Sequence, residues 1–288
     1  MTTLAILGVG KVGGEVAFLA ALQGVADEMV LYDIAEPLLK AQVLDLHHAM
    51  PELPISTDPA RIREADICVF TAGTPRNPAI RTRADLLTRN MPCAKDCSNH
   101  LSRFDGVLIT VGNPMDLINH YLWKLTGLPR ERCIGFGGQL DSARLLLDLK
   151  SKGIPGDAWV LGEHGEHQVP LFSRLARTVE IPVREQVLEH LRDSSMEVIR
   201  GKGATIFGPA AHIVRLIRAV ARDENVLLPC SCIVEGEYGL QGCSIGLPAR
   251  IGKEGFRCIG QWDLDPWEDE RLQEAGRFLA DLILRAHV

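Results

Sequence analysis

The sequence predicts an α/β protein in which an open, doubly wound parallel sheet is followed by an α+β domain. Short apolar runs alternate with helical segments over the first half of the chain, as in parallel strands joined by right-handed crossovers. A Gly-x-Gly-x-x-Gly turn separates the first strand from the first helix. Beyond residue 140, helices mix with short strands around glycine-rich turns. We therefore expect two domains, residues 1–140 and residues 141–288.

Composition restricts the classes of protein to which the chain can belong. Its 288 residues are enough to bury a sizeable core, and 31 Lys and Arg against 37 Asp and Glu give a formal charge of −6. A mildly acidic chain without basic clusters argues against nucleic acid or a membrane surface as the main partner. No apolar run is long enough to span a bilayer. The eight cysteines include no Cys-x-x-Cys pair and no His-rich ligand cluster, so we expect a cytoplasmic protein with reduced thiols and no bound metal.

The glycine turn follows the apolar run Thr3–Leu7 and precedes a helical segment at residues 16–22. In this motif the first glycine makes the turn, the second lets the backbone approach a pyrophosphate, and the third lets the helix pack on the strand. The helix N-terminus supplies free N–H groups and the positive end of a dipole. The residues predicted to bind a dinucleotide here are Gly8, Val9, Gly10, Lys11, Val12 and Gly13.

Asp33 ends the second apolar run, residues 29–33. At this position the acid of a Rossmann dinucleotide-binding domain accepts hydrogen bonds from the adenosine ribose hydroxyls. A carboxylate there would repel a ribose phosphate, so the sequence favours NAD over NADP. The alternative is that Asp33 only caps the following helix.

The alternation of strands and helices continues through the first half. Strands are predicted at residues 67–71, 107–111 and 133–136, and helices at residues 38–50, 85–104 and 116–125. Ligands of such sheets bind at the carboxyl ends of the strands, where Asp33, Gly73 and Asn113 all fall.

The second half is predicted to be α+β. Helices are expected at residues 141–151, 187–200 and 209–222, and short strands at residues 158–161, 230–234, 244–247 and 257–259. Asp265, Pro266 and Glu268 form a helix start, with an acidic N-cap, proline at the first position and glutamate at the third. Apolar residues at helical spacing follow, so we expect the chain to close with a packed amphipathic helix.

Two segments carry groups suited to proton transfer. The predicted helix after Gly138 places Asp141 and Arg144 three residues apart, hence on one face. His164 lies between two glycines just after an apolar run. A carboxylate can orient and charge-balance an imidazole, and an arginine can bind a substrate carboxylate. The two segments together indicate a proton-transfer site.

Seven motifs, in order and spacing, resemble those of the lactate/malate dehydrogenase family, most closely its archaeal lactate-dehydrogenase-like malate dehydrogenases. Besides the glycine turn and Asp33 they are Thr71-Ala72-Gly73, Asn113-Pro114-Met115-Asp116, Leu140-Asp141-Ser142-Ala143-Arg144, Gly162-Glu163-His164-Gly165 and residues 202–210. The resemblance covers nearly the whole chain. It implies a Rossmann NAD-binding domain, a substrate-binding and catalytic α+β domain, and NAD-dependent oxidation of malate, a tricarboxylic acid cycle reaction. It also implies a homodimer or homotetramer.

The resemblance further implies roles for individual residues. His164 accepts the hydroxyl proton as a hydride leaves substrate C2, and Asp141 hydrogen-bonds the other ring nitrogen. Arg144 binds the C1 carboxylate bidentately. Arg83, on a mobile loop that closes over the substrate, polarises its carbonyl. Asn113 contacts both substrate and cofactor, and the further cofactor contacts implied are Asn90 and Val111.

The segment after Gly73 departs from the family pattern, because it has one inserted residue and lacks the usual glycine. Counted from Thr71-Ala72-Gly73, Arg76 takes the position that faces a second substrate carboxylate, which predicts malate. If the insertion lies before Arg76, Asn77 takes that position and a monocarboxylate such as lactate is the substrate. Arg81 could substitute for either residue.

Three other functions remain as alternatives. The first is a dehydrogenase of lactate or another 2-hydroxy acid within the same family. The second is an NAD-binding sensor without catalysis, against which the joint presence of His164, Asp141, Arg144 and Arg83 argues. The third is an NAD-dependent glycosidase on a related fold, which needs a metal site and a longer chain.

Overall fold

The structure, a computed structural model, describes residues 1–74 and 82–286. Its strands are β1 Thr3–Leu7, β2 Glu28–Tyr32, β3 Ile55–Ser56, β4 Ile67–Phe70, β5 Val107–Thr110, β6 Cys133–Gly135, β7 Val160–Gly162, β8 Gln168–Pro170, β9 Val226–Glu235, β10 Gln241–Gly252 and β11 Gly255–Ile259. Its helices are α1 Lys11–Leu22, α2 Glu36–Ala49, α3 Arg83–His100, α4 Met115–Thr126, α5 Gly138–Ser151, α6 Ile181–Lys202, α7 Phe207–Ala221 and α8 Pro266–Arg285.

The first six strands form the predicted parallel sheet, in the order β3-β2-β1-β4-β5-β6. Strands β1, β4 and β5 are almost entirely buried because helices cover both faces of the sheet. Successive side chains of β1 therefore pack in different hydrophobic clusters, one on each face of the sheet. Ile6 packs in a cluster with α1 and α7, whereas Leu7 packs in a cluster with α3, α4 and α8.

The sheet does not end at β6, because β9 pairs antiparallel with it through Ile134 and Cys232. Strands β9 and β10 are ten and twelve residues long, so the prediction of short strands at residues 230–234 and 244–247 was wrong. Both strands continue past the predicted segments through Pro229 and Pro248, although proline cannot donate to a strand ladder. The two prolines are paired with each other, so the two absent backbone N–H donors fall at the same position of the strand pair.

Other departures concern the bounds of elements. Helix α1 begins at Lys11, within the glycine motif, rather than at residue 16. Strands β3 and β8 have two and three residues and were not predicted. The domain boundary predicted after residue 140 falls inside α5, and the sheet runs through both halves. The boundary stays a prediction.

The closing helix α8 has the predicted start and packing. Asp265 and Glu268 form a capping box, in which each side chain accepts the backbone N–H of the other. Glu268 also accepts the N–H groups of Phe172 and Ser173, at 2.6 and 2.7 Å. Within the described residues no single helix is long and apolar enough to cross a membrane; only α6 and α7, bent by 117°, reach that length and composition as a pair.

Candidate active site

A cavity of about 420 Å³ opens beside the carboxyl ends of the parallel strands. Of the predicted site residues, those on its wall are Val12, Arg83, Val111, Asn113, Arg144 and His164. Helix α6 contributes residues that the sequence did not single out: Leu191, Arg192, Ser195, Met196 and Ile199. Their spacing of three and four residues is that of any buried helix face, so the sequence carried no sign that they border a cavity.

The glycine turn leaves room for a phosphate group. Gly8 has a φ of +94°, and a Cβ there would lie 2.6 Å from the Cα of Ala72. A Cβ on Gly13 would overlap the carbonyl oxygen of Gly8, so the start of α1 packs directly on the turn. A Cβ on Gly10 would meet nothing within 4 Å, and no side chain caps the N-terminus of α1. The turn therefore fits a pyrophosphate held by backbone N–H groups.

Asp33, which directly follows β2, is hydrogen-bonded to the glycine turn. Its Oδ2 accepts the N–H of Val9 at 2.9 Å, and its Oδ1 accepts the N–H of Ala35 at 2.9 Å. The N-cap of α2 is Ala35, so the alternative that Asp33 caps this helix was wrong. Each carboxylate oxygen has a second lone pair, which suits a ribose hydroxyl.

His164 and Asp141 form the predicted pair, with 2.6 Å between Nδ1 and Oδ2. Asp141 lies in the first turn of α5 and is 1% exposed, whereas His164 follows β7. Gly137 makes the approach possible, because a Cβ there would lie 2.6 Å from Cγ of His164. The backbone N–H of His164 donates to Asp116 Oδ2 at 2.8 Å, which fixes the residue from behind.

Buried charges adjust the ionisation of these groups. Burial alone would lower the pKa of His164, but the Asp141 carboxylate outweighs it and the pKa is raised. Burial would likewise raise the pKa of Asp141, but the charges of His164 and Arg144 lower it. Burial and the nearby Glu163 charge raise the pKa of Asp116 to about 6. The site thus favours an imidazolium beside an ionised Asp141.

Arg144 shares the carboxylate of Asp141 with His164. Its Nη1 donates to Asp141 Oδ1 at 3.0 Å, so each oxygen of Asp141 serves one functional side chain. This contact follows from the spacing of three residues on α5. Arg144 also lines the cavity, where a guanidinium can bind a carboxylate.

Arg83 occupies a different place from the one predicted. It is the first residue of α3, not part of a loop, and Thr82 and Asp85 cap this helix with a capping box. Its Nη2 donates to the carbonyl oxygen of His164 at 2.7 Å and lies 3.1 Å from Glu163 Oε1. The guanidinium therefore lies beside the backbone of His164.

Asn90 does not line the cavity but bonds to two residues that do, Thr74 and Asn113. It is 2% exposed, and its Nδ2 donates to the carbonyl oxygens of Asn113 and Thr74 at 2.6 and 3.1 Å. Its Oδ1 accepts the N–H of Thr74 at 2.8 Å. The amide thus holds two strand ends together, and its predicted contact with the cofactor stays a prediction. Arg76, with Asn77 and Arg81, lies outside the described residues.

Two further buried acids adjoin His164, although the sequence analysis gave them no role. Asp116 is 3% exposed and its Oδ1 accepts the Ser231 hydroxyl at 2.6 Å. Glu163 is 2% exposed and directly precedes His164. Both belong to the motifs that carry the family resemblance, but only the fold shows which groups they contact.

Comparison with known proteins agrees with this site. Residues 2–135 match the NAD-binding domain of lactate/malate dehydrogenase, and residues 140–286 match the α/β C-terminal domain of the same family. A malate dehydrogenase of Haloferax volcanii is 36% identical over 98% of both chains. An L-lactate dehydrogenase of a Geobacillus species is 33% identical, covering 99% of this chain and 97% of that one.

A solved structure resembles the fold as a whole. The malate dehydrogenase from Archaeoglobus fulgidus in complex with NADH superposes with a TM-score of 0.91, at 34% identity over 99% of this chain and 100% of that one. The family matches cover both halves of the chain, and the glycine turn of the first half fits the cofactor. The chain therefore belongs to the lactate/malate dehydrogenase family, a family of oxidoreductases, and its cofactor is NAD.

Proposed function

We propose that the protein is an NAD-dependent malate dehydrogenase, which interconverts (S)-malate and oxaloacetate. The observation that carries this proposal is the buried Asp141–His164 pair, with Arg144 on the other carboxylate oxygen and the cavity in front. Such a pair can remove a hydroxyl proton while an arginine holds the adjacent carboxylate.

Each residue has a distinct part in the proposed reaction. Nδ1 of His164 is bonded to Asp141, so Nε2 is the atom that takes the substrate hydroxyl proton during oxidation and returns it during reduction. Arg144 binds the C1 carboxylate, and Arg83 stabilises negative charge on the carbonyl oxygen. NAD, when bound, accepts the hydride from C2.

The choice of malate over lactate rests on Arg76. A dicarboxylate needs a second cation, and we propose that Arg76 supplies it, as its distance from Thr71-Ala72-Gly73 suggests. The chain is similar to both malate and lactate dehydrogenases, so oxidation of lactate is the second candidate function.

The test compares the initial rates of NADH oxidation with oxaloacetate and with pyruvate. We expect kcat/KM to favour oxaloacetate by about a hundredfold, on the order of what a buried charge pair can discriminate. Arg76→Gln should remove most of this preference, whereas Arg89→Gln, at an exposed position of α3, should not. A preference of the unmodified protein for pyruvate would replace malate by lactate.

The raised pKa of His164 predicts the pH dependence of the reduction. Reduction of a 2-oxo acid requires the imidazolium, which is lost as the pH rises through the raised pKa, above the ordinary value of 6.5. Asp141→Asn removes the stabilising charge but leaves the cost of burial, so the pKa of His164 falls. We expect kcat/KM for reduction to decline at lower pH in Asp141→Asn than in the unmodified protein. Identical pH profiles would contradict the assigned role of Asp141.

A further inference from the structure

Glu163 shapes the loop that carries His164. Its backbone N–H donates to the carbonyl oxygen of His167 at 3.1 Å. Its Oε2 accepts the backbone N–H groups of Glu166 and His167 at 2.7 and 3.0 Å. One carboxylate oxygen is therefore used to close the loop, which leaves Oε1 free for another partner.

That partner is Arg83, which reaches the loop from the first turn of α3. Its Nη2 lies 3.1 Å from Glu163 Oε1 and donates to the carbonyl oxygen of His164 at 2.7 Å. The side chains of Arg83 and Glu163 are only 14% and 3% exposed, so water screens their attraction weakly. Gly165 makes the contact possible, because a Cβ at that position would overlap the Arg83 guanidinium.

The pairing also balances charge around the imidazole. Burial opposes ionisation of Glu163, but the Arg83 guanidinium and hydrogen bonds from His167 lower its pKa to about 2. Glu163 is therefore ionised at neutral pH. Asp141, Asp116 and Glu163 thus place negative charge around His164, and Arg83 adds a positive charge beside it, besides that of Arg144 on the other oxygen of Asp141.

We propose that Glu163 is a positioning residue that holds the Arg83 guanidinium beside His164. This inference rests on the proposed function, which makes Arg83 the residue that polarises the substrate carbonyl. The contact is made from the first turn of a helix whose N-terminus is fixed by a capping box. A guanidinium held by these contacts is preorganised to stabilise negative charge on the carbonyl oxygen.

The experiment measures reduction by Glu163→Gln, which keeps the shape of the side chain but removes its charge. We expect kcat to fall by about tenfold to a hundredfold, less than the roughly 10²–10³-fold expected when a transition-state donor is removed in Arg83→Gln. The KM for NADH should not change. The control is Glu268→Gln, since Glu268 is similarly buried and accepts three backbone N–H groups, but does not line the cavity. It should lower Tm and leave kcat unchanged.

A double-mutant cycle separates positioning from a structural effect. In the Arg83→Gln background, Glu163→Gln should lower kcat by less than about twofold, because there is no guanidinium left to hold. Additive losses, or a kcat for Glu163→Gln equal to that of the unmodified protein, would overturn the inference. If Glu163→Gln does not fold, Gly165→Ala replaces it, since its Cβ displaces Arg83 without changing charge. An unchanged kcat in Gly165→Ala would equally overturn it.

Failure of this inference can be told apart from failure of the proposed function. Arg83 acts on the C2 carbonyl that oxaloacetate and pyruvate share, so the cycle is measured with whichever acid is reduced faster. A preference for pyruvate would contradict the malate proposal but leave the expected coupling unchanged. Additive losses in an enzyme that prefers oxaloacetate would contradict the inference alone. Reduction of neither acid would contradict both.

Discussion

Replacing His164 with asparagine is expected to lower kcat by about 10²–10⁴-fold, the contribution of general acid–base catalysis. An asparagine amide can still reach toward Asp141, but it cannot carry the proton that the substrate oxygen exchanges. NADH binding should not change, because the glycine turn lies between β1 and α1 and Asp33 directly follows β2. Stopped-flow kinetics with oxaloacetate and fluorescence titration with NADH measure the two properties separately.

His167→Asn provides the matched control for this prediction. His167 lies three residues further on and stacks on Phe278, with 4.1 Å between ring centroids, but it is not on the cavity wall. We expect this variant to lose stability and to keep kcat within a few-fold of the unmodified protein. A His164→Asn variant with near-normal kcat would require another proton donor.

The second large effect is expected from Arg144→Met, which should lower kcat/KM by roughly 10³-fold. Loss of one partner of a desolvated charge pair costs about 2–5 kcal/mol. Here the substrate carboxylate loses its guanidinium, and Asp141 loses one of its two charged partners. Steady-state kinetics over a wide range of oxaloacetate concentration measure the change, which should be mainly in KM.

Two variants show whether charge or geometry matters at this position. Arg144→Lys keeps the charge but cannot bind a carboxylate bidentately, so its kcat/KM should lie between those of Arg144→Met and the unmodified protein. Lys150→Met removes an exposed cation from the same helix and should leave kcat/KM unchanged. A normal kcat/KM in Arg144→Met would show that the C1 carboxylate binds elsewhere.

Local sequence patterns predicted the parts of the site that local geometry determines. The turn at Gly8, Gly10 and Gly13 needs only a strand before it and a helix after it, so its spacing was sufficient. Asp141 and Arg144 share a helix face because they are three residues apart. Likewise, Asp265 and Glu268 formed the expected capping box.

Contacts between distant segments could not be predicted in this way. Arg83 and the His164 carbonyl are 81 positions apart, and their contact depends on how α3 packs beside the loop after β7. The helical spacing of Leu191, Ser195 and Ile199 is the same whether that face borders a core or a cavity. Likewise, the sequence does not show that Pro229 of β9 and Pro248 of β10 lie opposite each other in two long strands.

The close approach at Gly137 and Gly165 has a consequence for mutational tolerance. Neither residue contributes a side chain, yet each occupies space that His164 or Arg83 requires. In a saturation mutagenesis screen for growth or turnover, both positions should tolerate as few replacements as the ionisable residues they adjoin. Inactivating variants of this enzyme should therefore include changes at positions that take no part in the chemistry.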